Sequence, residues 1–200
     1  MIDLLPLDLK KVLMDIEALG FSLTLVGGAP RDYIYSHQLG YDLDFEIRAD
    51  HLVDRDQWPN YYKKLVAFFS AQKMTFTELP YLITRMDWGE FQLEFSSPRL
   101  EFNKVDAINH HHFDARLDTQ LSYEESFKRR DLTLNAIGIE WNFLENQERF
   151  IDPYGGIDDL KKKELRAISA EYFLDHVRFL RLIRFQIKFS NFLMNSLQTK

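Results

Sequence analysis

Residues 23–47 read LTLVGGAPRDYIYSHQLGYDLDFEI, and this stretch decides how the chain is to be folded. Residues 23–26 are a short apolar run, the pattern of a buried strand. Gly27 and Gly28 end it, since paired glycines turn the backbone tightly and let a ligand approach the main chain. Pro30 fits the first position of a following helix, where its missing N–H costs nothing. Free N–H groups at such a helix start favour a phosphate, and Arg31 adds a charged donor pair. Asp42 and Asp44 follow in DLDFEI. Residues i and i+2 of a strand share a face, so the two carboxylates stand side by side, with Leu43 and Phe45 packed on the other face. Adjacent carboxylates repel, and apolar surroundings make this worse. A divalent cation relieves the repulsion, and an all-oxygen donor set suits Mg²⁺. Alone, D-x-D would be a solvated strand edge; behind a strand, a Gly-Gly turn and a helix, it reads as a metal site.

Working outward, the composition supports a packed domain. The chain has 200 residues, 46% hydrophobic and 14% aromatic, with 17 Phe, which is ample for a core. There is no cysteine, which excludes disulfides and thiolate metal sites. No stretch has the roughly 18 apolar residues needed to span a bilayer. The start, MIDLLPLDLKK, has neither a basic opening nor a long apolar run, so no signal peptide is expected and the cytoplasm is the default location. A net charge of −6 argues against a basic nucleic-acid-binding surface over the whole chain.

Hydrophobic periodicity predicts helices over 6–19, with Leu7, Leu9, Val12, Leu13, Ile16 and Leu19 on the apolar face, and over 57–72, with Leu65, Phe68 and Phe69 inward and Lys63 and Lys64 outward. Gly20 fits a helix stop. Residues 74–86 and 91–96 read as two strands joined through 87–90, with Gly89 supplying the turn. Alternation puts Gln92, Glu94 and Ser96 on one face, so Glu94 becomes a third acid beside Asp42 and Asp44 if the strands are neighbours; an exposed acid on an outer strand is the alternative. Residues 100–123 show no clear period and are expected as a loop. The run His110-His111-His112 within it does not suit one metal site, because adjacent side chains point apart.

Residues 124–140, EESFKRRDLTLNAIGIE, carry the second motif. Arg129 and Arg130 offer charged forks suited to a triphosphate. Asp131 and Asn135 are four apart, which on a helix puts them on one face, able to hold a ribose hydroxyl or orient an arginine. The segment DPYGGIDDL at 152–160 is rich in turn formers, and Lys161 to Lys163 are expected on a wet helix face. A last helix over 171–186 has Arg178, Arg181 and Arg184 along a basic stripe, opposed by Val177, Leu180 and Ile183.

These motifs, in this order, resemble the head-domain signatures of class II tRNA nucleotidyltransferases and bacterial poly(A) polymerases. That family has G-G-x-V-R-D and then D-x-D, matched by Gly27, Gly28, Arg31, Asp32, Asp42 and Asp44. Pro30 replaces the usual valine, and Ser36 stands where glycine is usual. R-R-D-F-T-x-N-A is matched by Arg129, Arg130, Asp131, Thr133, Asn135 and Ala136, with Leu132 for Phe. Leu93, Glu94, Phe95 and Arg99 follow the outline of V-E-V-A-T-x-R, and residues 152–160 follow D-P-x-G-G-x-x-D-L. The family's base-reading motif E-D-x-x-R is matched by Asp175 and Arg178, with Leu174 in the glutamate position.

The resemblance implies an α+β fold: a polymerase-beta-like nucleotidyltransferase head with a mixed β-sheet flanked by helices over 1–145, and the start of a helical neck over 146–200. It implies catalysis by Asp42 and Asp44 holding two Mg²⁺ ions, with Glu94 as a third candidate ligand. It assigns nucleotide binding to Gly27, Gly28, Arg31, Arg130, Asp131, Asn135, Asp175 and Arg178. The implied reaction is template-independent transfer from CTP and ATP to the 3′ end of tRNA, completing all or part of CCA. RNA-holding body and tail domains are expected beyond this chain. A poly(A) polymerase of the same family and a catalytically silent nucleotide- or RNA-binding module are the alternatives; the basic, aromatic segment usual in those polymerases is not found in 100–123.

Overall fold

In the computed structural model, residues 1–103, 113–169 and 176–194 are described. In chain order these form α1 (Leu7–Ala18), β1 (Phe21–Val26), α2 (Gly28–Ser36), β2 (Asp42–Ala49), α3 (Trp58–Ala71), β3 (Thr77–Leu79), β4 (Ile83–Trp88), β5 (Phe91–Ser96), β6 (Arg99–Asn103), β7 (Phe113–Leu117), α4 (Tyr123–Phe127), β8 (Gly138–Asn142), β9 (Gln147–Ile151), α5 (Gly156–Lys162), β10 (Glu164–Leu165), α6 (His176–Lys188) and β11 (Leu193–Met194). Seven of the strands form one sheet in the order β3-β4-β5-β2-β1-β8-β9. β2 and β5 run parallel and every other neighbouring pair antiparallel, so the sheet is mixed and the fold is α+β, as expected.

Alternation along the strands gives the sheet two different faces. Leu23, Leu25, Leu43, Phe45, Ile47, Leu93, Phe95, Ile139 and Trp141 build the main core with residues of α1 and α3. Phe45 stacks on Phe95 at 5.4 Å and meets Trp141 edge-on at 5.3 Å. The opposite face carries the polar residues of the same strands. Its buried polar residues are Thr24, Glu46 and Ser96, and Asp42 and Asp44 stand toward the end nearest the Gly-Gly turn. A second core joins Leu132, Leu134 and Ile137 to Leu160 and Leu165 and to Leu182, Phe189 and Phe192. α5 and α6 are thus packed on the segment that follows the arginine pair. Among the described residues, no helix is long and apolar enough to cross a membrane.

Several elements differ from expectation. The strand expected over 74–86 is two strands, β3 and β4, reversing at residues 80–82, where Tyr81 and Leu82 adopt φ of 65° and 53°. No glycine marks that corner; the local signal there is Pro80, which interrupts a strand pattern. Asp87 and Trp88 belong to β4, and only Gly89 and Glu90 turn. Within the expected loop 100–123, β6 and β7 pair as an antiparallel ribbon. His110 to His112 lie outside the described residues. Leu7 is 83% exposed because α1 begins there and its first turn overhangs the core. On α6 the apolar sides are reversed: Leu182 and Phe189 are buried while Leu180 and Ile183 are exposed, since the second core lies on the Arg181 side of the helix. β9 hydrogen-bonds to β8, so the sheet continues to Ile151, past residue 145.

Candidate functional site

The site begins where β1 gives way to α2. Val26 is paired with Asp44 across the β1–β2 ladder, so the turn at Gly27 comes up against the second acid. Gly27 has φ 80° and ψ −134°, a conformation that side chains other than glycine rarely adopt. A Cβ there would lie 2.8 Å from Asp44 Oδ2. A Cβ on Gly28 would meet the Arg31 guanidinium at 3.2 Å. The two glycines thus bring the backbone between a carboxylate and a guanidinium with no space for a side chain. Pro30 is the third residue of α2, not the first as expected. It stays within the four N-terminal positions whose N–H has no helical partner, so it costs no hydrogen bond.

Asp42 is exposed and Asp44 partly buried, both on one face of β2. The parallel register sets Glu94 of β5 beside Asp44, so the two acid strands are neighbours. Glu94 accepts hydrogen bonds from Arg85 Nε at 3.2 Å and from its terminal nitrogen at 2.7 Å. Burial raises the Asp44 pKa, and the charges of Glu94 and Asp42 push the same way; Arg130 and Arg85 oppose them. Among the described residues, no group of three or more His, Asp or Glu side chains is placed to hold a metal ion. Asp42 and Asp44 nevertheless fit a divalent cation of the kind held by one or two carboxylates plus substrate phosphates, and such a cation offsets the repulsion felt by Asp44.

The arginine motif faces these acids from the end of α4. α4 itself starts with a capping box, in which Ser122 and Glu125 satisfy each other's backbone N–H groups. Arg130 donates weakly to the Asn135 carbonyl at 3.4 Å and lies over the Phe127 ring at 5.0 Å. Its Nε is buried and without a partner among the described residues. Burial lowers the Arg130 pKa, and the negative charges of Glu46, Asp44 and Asp131 act to hold it up. Arg129 contacts Glu101 at 3.2 Å; burial, with the charges of Arg130 and Arg99, pushes its pKa down to about 10. Arg130, whose buried Nε has no partner among the described residues, stands beside partly buried acids and favours an anionic ligand that also carries a cation.

Asp131 and Asn135 do meet, but not on one helix: Asn135 ends a 3-10 turn over Thr133–Asn135, and the chain before it is extended. Asn135 Nδ2 donates to Asp131 Oδ1 at 2.7 Å. Asn135 Oδ1 accepts from Arg31 at 2.5 Å, and Asp131 Oδ2 accepts from Arg181 at 2.9 and 2.8 Å. Arg31 also pairs with Asp32 at 2.9 and 2.8 Å and lies over the rings of Phe185 and Phe189, at 5.4 and 5.5 Å. Every guanidinium nitrogen of Arg31 therefore has a protein partner. Asp175 and Leu174 lie outside the described residues; Arg178 lies on α6, three residues before Arg181.

Three residues escaped the sequence reading. Glu46 is the next same-face residue after Asp44 and only 2% exposed; it accepts from Ser126 Oγ at 2.7 Å and pairs with Arg48 at 2.6 Å. The i+2 step from D-x-D to Glu46 was the signal available. Arg85 is set by its register opposite Glu94, which only the hairpin reveals. Asp159 accepts from Thr133 Oγ1 and pairs with Arg166 at 2.9 Å, tying the 152–160 segment to the arginine motif.

A mixed sheet that sets two acids against a glycine turn and a half-buried arginine pair defines a nucleotidyltransferase-type head. The chain belongs to the family described as "Poly A polymerase head domain", whose profile matches residues 23–166. It is 30% identical over 171 residues to a CCA-adding enzyme of Francisella tularensis, covering 84% of this chain and 40% of that protein. It is 51% identical over 73 residues to a CCA-adding enzyme of Coxiella burnetii, covering 36% of this chain and 18% of the relative. Among solved structures, a tRNA nucleotidyltransferase complexed with a primer tRNA and an incoming ATP analog superposes with a TM-score of 0.64 at 25% identity, over 92% of this chain and 46% of the longer one. A tRNA-processing enzyme with CTP does so with a TM-score of 0.64 at 26% identity, over 92% of this chain and 43% of that one. The chain thus spans about two fifths of the length of these full-length relatives.

Proposed function

We propose that this chain is the catalytic head of an enzyme that transfers nucleotides from CTP and ATP to the 3′ end of tRNA without a nucleic-acid template. The observation that carries the reading is the packing of Gly27 against Asp44, with Arg130 facing the same acids. In this reading Asp42 and Asp44 hold two Mg²⁺ ions, with Glu94 available as a further ligand once released from Arg85. Those ions, when bound, activate the RNA 3′-hydroxyl and neutralise the triphosphate and the leaving pyrophosphate. The Gly27–Gly28 backbone and Arg130 orient the phosphates so that the α-phosphorus lies in line with the attacking hydroxyl. Arg31 acts from beneath Gly28, holding the turn and Asn135 in place. Asp131 and Asn135 border the ribose, and Asp175 and Arg178 read the base edge through an acceptor and a forked donor.

The head passes into the neck after Ile151, where the sheet ends, and RNA-holding domains like those of the longer relatives supply the grip on tRNA. The enzyme works in the cytoplasm. The test is incubation with Mg²⁺, labelled CTP or ATP, and tRNA ending at the discriminator base, at C or at CC, with an unrelated RNA as control. Addition of C and then A to tRNA alone is expected; A on the CC end alone would make it an A-adding enzyme. Repeated A on any RNA would instead establish a poly(A) polymerase.

A further inference from the structure

We propose that Arg85 is a stand-in cation for the acidic site: its guanidinium holds Glu94 against a free divalent ion and yields it only when a triphosphate takes the guanidinium over. The inference rests on the nucleotide-transfer reading above and adds to it an order of binding, in which metal and triphosphate enter together.

The strand registers build two rows across the polar face of the sheet. One row is Asp44 on β2, Glu94 on β5 and Arg85 on β4; the next is Asp42, Gln92 and Asp87. Four of these six residues are acids, and Arg85 is the one base among them. Its fork closes on a single oxygen, Glu94 Oε2, through Nε at 3.2 Å and a terminal nitrogen at 2.7 Å. Its attraction reaches past that oxygen. Glu94 first, and then the charges of Asp44 and Asp42, hold the Arg85 pKa up. Arg85 in turn is one of two arginines, with Arg130, whose charge opposes the upward shift of Asp44.

A guanidinium in that place offsets the repulsion among the carboxylates, as a metal ion would, but with one positive charge instead of two. A free divalent ion that needs Glu94 must therefore displace the guanidinium and leave a charged fork without its acceptor. A triphosphate removes that cost, because phosphate oxygens accept the two N–H groups of a guanidinium as a carboxylate does. Arg85 is 47% exposed, so it can turn from Glu94 to a ligand without disturbing the core. Arg130 is half-buried and lies over the Phe127 ring, so it lacks that freedom. An exposed ion pair adds little to stability, so holding the fold together is not the main effect of the Arg85–Glu94 contact. Its effect falls on the ligands: metal and triphosphate each strengthen the binding of the other, by the same factor.

The test compares the unaltered chain with Arg85→Met, Arg85→Lys, Glu94→Gln and the double variant Arg85→Met/Glu94→Gln, with circular dichroism and thermal unfolding on each. Two affinities are measured. That for Mn²⁺ alone is read from the spin-resonance signal of the free ion. That for the Mg²⁺ complex of inorganic tripolyphosphate is read by calorimetry, with CTP and ATP run alongside. In Arg85→Met, Mn²⁺ alone should bind about tenfold tighter, while the tripolyphosphate complex binds no tighter than before. Arg85→Lys, which keeps the charge without the fork, should fall between Arg85→Met and the unaltered chain. With Glu94→Gln already present, Arg85→Met should bring little further gain. An unchanged Mn²⁺ affinity in Arg85→Met would overturn the inference. So would an equal gain for the tripolyphosphate complex, which would make Arg85 a plain repulsive charge, or a Mn²⁺ gain undiminished by Glu94→Gln. An unaltered chain that binds neither CTP nor ATP with Mg²⁺ would refute the nucleotide-transfer reading itself, and this inference with it.

Discussion

Replacing Gly27 with alanine puts a methyl group where the structure has no space for one. Two costs follow, and they can be separated. The first is conformational: at φ 80° and ψ −134° a side chain is strained by about 1–3 kcal/mol. For a domain of this size that lowers the melting temperature by roughly 2–12 °C. The second is local. The new Cβ would lie 2.8 Å from Asp44 Oδ2, whereas ordinary contact begins near 3.4 Å, so the carboxylate must recede by the difference, 3.4 − 2.8 = 0.6 Å. A displacement of that size at a reacting centre costs on the order of tenfold in rate. Gly89→Ala is the control, since Gly89 also has positive φ, 57°, but nothing lies within 4 Å of the added Cβ. Both variants should lose stability; only Gly27→Ala should lose nucleotide transfer and Mg²⁺-dependent triphosphate binding per folded molecule. If the two variants keep the same specific activity, the packing of the turn on Asp44 has no functional meaning.

Asp42→Ala should abolish transfer and leave thermal unfolding nearly unchanged, because Asp42 is exposed; transfer at the normal rate would dismiss it as a catalytic acid. Asp44 has a pKa raised by folding, so the native state holds its proton more tightly than the unfolded chain, and stability falls as pH rises through the window between the two pKa values. Asp44→Asn should therefore melt higher than the unaltered metal-free chain at neutral pH, with the gap closing in acid below the native pKa, while transfer is lost; a mutant no more stable at neutral pH would contradict the repulsion described above. Phe45→Ala removes a ring stacked on Phe95 and fully buried, and should cost about 3–5 kcal/mol in denaturant unfolding. Ser122→Ala breaks the capping box of α4 and should cost about 1 kcal/mol, measured the same way.

The stretch from Leu23 to Ile47 was legible because its signals are local. An apolar run, two glycines and an i, i+2 pair of acids each constrain their own backbone, and β1, α2 and β2 follow. Register went further than expected from sequence: Glu94 does stand beside Asp44, a neighbour relation that depends on a parallel pairing no local pattern encodes. The reversal between β3 and β4 was missed because Tyr81 and Leu82, not glycine, take the positive φ, and Pro80 was the one local signal of it. Asp131 and Asn135 were paired for the wrong reason: four-residue spacing suggested a helix, but an extended segment and a single 3-10 turn bring them together. The surroundings of Arg31 were out of reach, since Asn135 is 104 residues away in sequence and Phe185 and Phe189 are further still. The inward side of α6 was misread because its basic stripe looked like a solvent face, whereas Arg181 points to a buried aspartate.

The pairing of β9 with β8 has a practical consequence for anyone who wishes to study the head alone. A fragment ending at residue 145 would retain β8 but lose β9, leaving a row of backbone donors and acceptors along a strand that includes Ile139 and Trp141. An unprotected edge of that kind recruits strands from other molecules, and the fragment would be prone to aggregate whatever the integrity of its acids. Ending the fragment after Ile151 keeps β9 as the outer strand, with Glu148 and Arg149 among its residues, and charges on an edge discourage such pairing.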